Sequence, residues 1–226
     1  MVYIKAKDPV EGVQYLARAL RGALSGDSMV LWLVSGGSNI AAAVQVRQSL
    51  PTNRLKNLKI GLVDERYGNY GHKDSNYTQL QQAGFDFNNI DFVPVLTTEN
   101  LSLEQTTNNY QEQIEPLFKR SAIIIGQFGI GTDGHTAGIL PGSEATAADE
   151  RLVIGYKETD FSRITLSFRA IKMVNEAYVF AYGENKRATL SLLHDKDLPL
   201  NDQPAQIFRQ SIPKSFIINN MIGDSE

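Results

Sequence analysis

The sequence predicts a mostly parallel, layered α/β sheet with helices on both faces, and three observations carry that expectation. Extended apolar runs alternate with stretches of helical periodicity along the chain. Runs such as Met29 to Val34 (MVLWLV) and Ala177 to Tyr182 (AYVFAY) are apolar throughout, as strands covered on both faces must be. Four runs end in polar, glycine-containing or charged loops, and the carboxyl ends of parallel strands are where such sheets bind ligands. No linker-like or low-complexity segment interrupts the pattern, so a single domain over residues 1–226 is expected.

In order, Val2 to Ala6 reads as an edge strand. Pro9 to Leu24 has Val10, Val13, Leu16, Ala17, Leu20 and Leu24 at helical spacing, with Pro9 as a helix starter. Met29 to Val34 runs into Ser35-Gly36-Gly37-Ser38 and an alanine-rich helix from about Asn39 to Leu50. Leu58 to Val63 is a second core strand delivering Asp64-Glu65-Arg66, followed by a polar loop and a short helix over Tyr77 to Ala83. Phe92 to Val95 is a short strand, and Leu101 to Phe118 is helical. Ser121 to Ile125 is a buried strand that opens into glycines 126, 129, 131 and 134, with a helix expected to begin near Gly134. Leu152 to Tyr156 and Arg163 to Phe168 are extended. After Ala177 to Tyr182, Gly183-Glu184-Asn185-Lys186 leads into a helix to about Leu193. A short helix at Pro204 to Arg209 and a strand at Phe216 to Ile218 complete the chain.

Composition narrows the function classes. Of 226 residues, 42% are hydrophobic and 21% charged, an ordinary balance for a folded globular chain. The net charge of −3, with no dense Lys/Arg run, gives no field to attract nucleic acid or an anionic membrane. The absence of cysteine excludes disulfides, thiol nucleophiles and Cys-based metal sites, and fits a reducing cytoplasm. No apolar run reaches signal-peptide or membrane-spanning length, so a soluble cytoplasmic protein is expected. Oligomeric state cannot be read from the sequence, because an exposed apolar stripe looks like core.

The four loops at strand ends are SGGS (35–38), DER (64–66), GIGTDGH (129–135) and GENK (183–186). SGGS lies between a strand and a helix start, where free N–H groups and the helix dipole favour an anion. It is neither a Walker A nor a G-x-G-x-x-G sequence, so no nucleotide is implied. Arg66 and Lys186, also at strand ends, are the cations a phosphate would need. Of the three histidines, His72 and His194 read as exposed bystanders. His135 is the candidate general base, since an unperturbed imidazole titrates near neutrality. Asp133 either orients it or caps the expected helix, and N–H groups of the same turn are candidate oxyanion donors. A base with oxyanion donors, lacking a nucleophilic serine motif or a metal cage, suggests water attack on an activated carbonyl.

These blocks also resemble 6-phosphogluconolactonases. SGGS, DER followed by DSNY (Asp74 to Tyr77), GIGTDGHTAGILP, RITL (Arg163 to Leu166) and GENK occur in the order seen in that family, from about residue 30 to beyond 190. PAQIF (Pro204 to Phe208) is similar to its closing segment. The resemblance implies the sheet shared with glucosamine-6-phosphate deaminases and ribose-5-phosphate isomerases. It implies hydrolysis of 6-phospho-D-glucono-1,5-lactone, a phosphosugar lactone of the oxidative pentose phosphate pathway, with no metal or organic cofactor. By position it makes His135 the water-activating base, with Asp64 and Asp133 in orienting roles. Arg66 and Lys186 become the phosphate clamp, with Gly36, Gly37 and Ser38. Asn76 organises the loop or meets a sugar hydroxyl, and Gly131 joins the substrate-binding set.

Two departures bear on loop shape. Asn39-Ile40 stand where the family commonly has Thr-Pro, and Gly138-Ile139-Leu140-Pro141 where it often has Ser-Leu-Phe-Pro. The nearest rival is a glucosamine-6-phosphate deaminase, which typically reads Asp-Glu-Tyr where this chain has Asp64-Glu65-Arg66. A non-catalytic sugar-phosphate sensor is the alternative from another class. The roughly 28 residues before the first core strand are too few for a helix-turn-helix module.

Overall fold

The computed structural model describes residues 1–147 and 150–223. The domain expected over 1–226 therefore includes two short stretches, 148–149 and 224–226, that lie outside the described residues. In chain order the elements are β1 (Val2–Lys5), α1 (Pro9–Ala23), β2 (Val30–Val34), α2 (Ile40–Ser49), β3 (Leu58–Leu62) and β4 (Asp64–Arg66). Next come α3 (Asn76–Gln82), β5 (Asp91–Phe92), α4 (Leu103–Arg120), β6 (Ile123–Gly129), β7 (Val153–Tyr156) and β8 (Arg163–Leu166). The last are α5 (Phe168–Lys172), β9 (Glu176–Phe180), α6 (Arg187–Asp195), α7 (Ile207–Gln210) and β10 (Lys214–Asn219).

Seven strands form one parallel sheet in the order β1-β10-β9-β6-β2-β3-β5. All five residues of β2 are fully buried, Trp32 included, which matches its unbroken apolar sequence. The chain runs outward from β2 through β3 to β5, then restarts at β6 and runs the other way through β9 to β10. With the right-handed crossovers that govern parallel sheets, these two directions place helices on opposite faces. They also create a switch point between β2 and β6, and a crevice outside the carboxyl ends of those two strands is where such sheets take a ligand. Buried apolar side chains form one continuous cluster through the molecule.

Helix starts follow their local chemistry. The Asp8 carboxylate accepts from Glu11 N ahead of Pro9, and Ser102 with Gln105 forms a capping box on α4.

Four expectations need correction. Asp64 to Arg66 are not a loop: they form β4, which pairs antiparallel with β8 in a separate three-stranded sheet, β4-β8-β7. The strand before the glycine-rich turn continues to Gly129, so Gly126 and Gly129 belong to β6. No helix begins near Gly134, and residues 131–142 instead form turns and a Thr136–Ile139 bridge. The physical reason is local. The Asp133 carboxylate accepts from the His135 backbone N–H, and Gly134 and Ala137 both have positive φ, which a right-handed helix excludes. Phe168, expected to end a strand, opens α5, with Ser167 as its cap.

Candidate active site

The crevice at the switch point is a cavity of about 190 Å³ lined by residues from all four expected loops. That is below the roughly 300–1,000 Å³ of pockets for drug-sized ligands, and suits a small metabolite. Gly36, Gly37, Ser38, Asp64, Arg66, Asn76, Gly131, His135 and Lys186 all line it. Asp133 does not line the cavity; it stands behind His135. Parallel strands explain the convergence, because every carboxyl end lies on one edge of the sheet.

The His135 ring and Asp133 are joined by an Nδ1–Oδ1 contact of 2.7 Å. Asp133 Oδ1 also accepts from His135 N at 3.1 Å, so one carboxylate fixes both ring and backbone. The His135 bond is the main reason the Asp133 carboxyl is held down at about 2. Asp133 is therefore ionised at any ordinary pH. With Nδ1 engaged, Nε2 is the ring nitrogen left to handle a proton, the division of labour expected of an oriented base. Gly131 permits this packing. A Cβ there would lie 2.1 Å from His135 Nδ1 and 2.5 Å from Asp133 Oδ1.

Asp64 is the carboxylate that lines the cavity, and the structure gives it no bond to the imidazole. It is buried, and Asn76 Nδ2 donates to its backbone oxygen at 2.9 Å and reaches Oδ2 at 3.4 Å. Burial raises its carboxyl above the usual range, while Arg66, His135, Arg163 and Asn76 oppose that rise. Asp133 is thus the hydrogen-bonded partner of the His135 ring.

Three of the turn's N–H groups, expected among the oxyanion donors, are already spent within the turn. Gly131 N donates to His135 O, Gly134 N to Gly131 O, and His135 N to Asp133. The start of the 3-10 turn and helix after Gly36 is the better donor set, since first-turn N–H groups lack intrahelical acceptors. Gly36 lets Asn76 approach this turn: a Cβ on it would meet Asn76 Oδ1 at 1.9 Å.

Two cations enter the cavity from opposite flanks, Lys186 after β9 and Arg66 beyond β3. Among the described residues, neither has a carboxylate within ion-pair distance. Arg66 Nη1 donates to Asp74 O at 3.1 Å, and its buried Nε has no partner. Lys186 is partly buried, which lowers its ammonium below the usual lysine value. An arriving anion would relieve both. Among the described residues, no group of three or more His, Cys, Asp or Glu is placed to hold a metal ion.

Sequence reasoning missed what holds this arrangement. Glu65, fully buried, accepts from Arg66 N, Asn76 N, Tyr77 N and Ser75 Oγ, at 2.7, 2.7, 3.0 and 3.0 Å. Burial pushes its carboxyl up and the four donors pull it back. Thr165 Oγ1 accepts from Gly138 N, and Tyr156 Oη donates to Gly138 O, so β7 and β8 pin the segment after His135. Arg163, opposite Arg66 in the β4–β8 register, shares the Phe161 ring with it, each guanidinium carbon lying 5.9 Å from the ring centre.

The sequence pattern of the family described as glucosamine-6-phosphate isomerases/6-phosphogluconolactonase matches residues 10–216. The chain belongs to this family. Among its relatives is a 6-phosphogluconolactonase from Synechocystis, 23% identical over 186 residues, covering 79% of this chain and 76% of the relative. Another, from Nostoc, is 28% identical over 174 residues, covering 70% and 68%. The crystal structure of a 6-phosphogluconolactonase from Shewanella baltica superposes with a TM-score of 0.82 at 19% identity, covering 97% of each chain. That of the enzyme from Thermotoga maritima gives 0.75 at 21%, covering 96% of this chain and 98% of the other. These structural matches establish a shared fold. Among the described residues, no helix is long and apolar enough to cross a membrane.

Proposed function

We propose that this chain hydrolyses 6-phospho-D-glucono-1,5-lactone to 6-phosphogluconate, the lactone-opening reaction of the oxidative pentose phosphate pathway, in the cytoplasm. The observation that carries the reading is the Asp133–His135 pair at the end of β6, opening onto a cavity that also holds SGGS, Arg66 and Lys186. The relatives named as lactonases supply the substrate class.

In this reading His135 Nε2 takes a proton from water as the water oxygen bonds to the lactone carbonyl carbon. The carbonyl electrons move to oxygen, and N–H groups at the SGGS turn stabilise that charge. When the carbonyl reforms, the ring C–O bond breaks and the departing oxygen takes the proton from the imidazolium. Asp133 stabilises the imidazolium between the two steps. The imidazole carries one water proton to the departing oxygen, the new carboxylic acid loses the other to solvent, and the reaction calls for no cofactor. Arg66 and Lys186 hold the phosphate with Gly36, Gly37 and Ser38, while Asp64 balances the charge of Arg66. Asn76 organises the wall.

The test is a hydrolysis assay on freshly generated 6-phosphogluconolactone, corrected for spontaneous opening, beside a glucosamine-6-phosphate deamination assay. Lactone turnover without deamination is expected; the reverse would move the chain to the other activity in its family's description. A charge-assisted hydrogen bond sustains about a 10- to 100-fold effect. Arg66→Ala is expected to raise KM for the phosphorylated lactone by about that factor, with less change for unphosphorylated gluconolactone. If the preference for phosphate is untouched, Arg66 is not part of the clamp.

A further inference from the structure

We propose that Thr189 and Gln203 are positioning residues that lock the Asp133–His135 loop to the first turn of α6, so that the base keeps a fixed place relative to Lys186. The proposal builds on the lactonase reading, but its geometry stands apart from it.

The loop has no helix or strand ladder of its own. Its internal bonds, Gly131 N to His135 O and Gly134 N to Gly131 O, set its shape but not its position in the molecule. Position is supplied from outside through two backbone carbonyls, one just before Asp133 and one between Asp133 and His135. Thr132 O accepts from Thr189 Oγ1 at 2.5 Å, and Gly134 O accepts from Ala205 N at 3.0 Å. Thr189 belongs to the first turn of α6, which begins immediately after Lys186. Gln203 closes the circuit. Its Nε2 donates to Thr189 O at 3.0 Å, its Oε1 accepts from Gln206 Nε2 at 2.7 Å, and its side chain packs against Gly134.

Burial makes this chain of bonds exacting. Thr189 and Gln203 are 5% and 3% exposed and Gln206 is fully buried, so a lost partner cannot readily be replaced by water. Among these buried polar side chains, Thr189 spends its hydroxyl donor on a carbonyl of the loop that carries His135, and Gln203 spends its amide donor on Thr189 O. A helix threonine that bonds across to a loop carbonyl is positioned to hold that loop in register. Preorganisation of this kind acts on the rate, because small displacements of a catalytic group are felt in the transition state.

The experiment compares Thr189→Val, which removes the hydroxyl and keeps the branched shape, with Thr189→Ser, which restores it. Melting temperature is checked for both. Thr189→Val is expected to lower kcat about fivefold to tenfold with KM within about twofold of wild type, and Thr189→Ser to recover most of the rate. Backbone amide hydrogen exchange over residues 131–136 is measured in parallel, without substrate. Exchange there is expected to rise by a similar factor in Thr189→Val while α6 keeps its protection. Unchanged exchange over 131–136, wild-type kcat in Thr189→Val, or a loss confined to KM would overturn the proposal. A wild-type chain with no lactonase activity would sink the functional reading instead, and the exchange comparison alone would then decide the lock.

Discussion

His135→Ala is expected to lower kcat for the phosphorylated lactone by about 10²- to 10⁴-fold, the range for losing a general base. KM should change little, since the cations and the SGGS turn that hold the substrate remain in place. The size of the effect follows from the lack of a substitute. Asp64, the carboxylate in the cavity wall, is buried beside Arg66 and Asn76 and makes no bond to the imidazole. Asp133 is tied to the loop backbone and, with its carboxyl held down at about 2, is too weak a base to replace the imidazole near neutral pH. Stopped-assay kinetics with subtraction of spontaneous hydrolysis measures the difference. Turnover within a few-fold of wild type would remove His135 from its role.

The second large effect is on stability. Glu65→Ala removes the acceptor of three backbone N–H groups and the Ser75 hydroxyl at a fully buried position. Each buried donor left unpaired costs about 1–3 kcal/mol, and recovery of the carboxylate's own burial cost offsets only part of the sum. A loss of about 4 kcal/mol is expected, at the upper end for single substitutions. Chemical denaturation measures it. Because the released N–H groups belong to Arg66, Asn76 and Tyr77, activity should fall with stability. A loss below about 1 kcal/mol would mean that the loop is held by something other than Glu65.

The contrast between Glu65 and its neighbours shows where the sequence was legible. Met29 to Val34 and Ala177 to Tyr182 announced central strands because burial on both faces leaves no polar position. Once those strands were parallel, SGGS, DER, GIGTDGH and GENK had to share an edge, and they line one cavity. Glu65 was illegible because a carboxylate beside two other charges reads as solvated, and only the converging N–H groups of 66, 76 and 77 reveal it as buried. Of the small sheet, β7 and β8 were legible as extended runs, and only β4 was hidden, because its three residues are too few for alternation to register.

The expected helix at Gly134 failed through competition between two uses of Asp133. As a cap it would have started a helix; bound to both the ring and the N–H of His135, it closes a turn instead. The same contact settles which carboxylate partners the histidine, which spacing alone could not decide. Thr189 and Gln203 were overlooked because isolated polar residues in and near a helix read as its wet face. Their partners are a loop carbonyl, Thr132 O, 57 residues from Thr189, and a helix carbonyl, Thr189 O, 14 residues from Gln203.

The central claim is that the Asp133-oriented imidazole of His135 is the base, and its most direct test is the pH dependence of kcat/KM in wild type and His135→Gln. Wild-type activity is expected to fall on acidification, as protonation of the imidazole removes the acceptor for the water proton. Asp133 cannot produce that limb, because its lowered carboxyl stays ionised until the pH approaches about 2. Asp64 is the competing source, since burial raises its carboxyl above the ordinary carboxylate value. The acid limb is expected to disappear in His135→Gln together with most of the rate. Persistence of the limb in that variant, with its loss in Asp64→Asn, would contradict it.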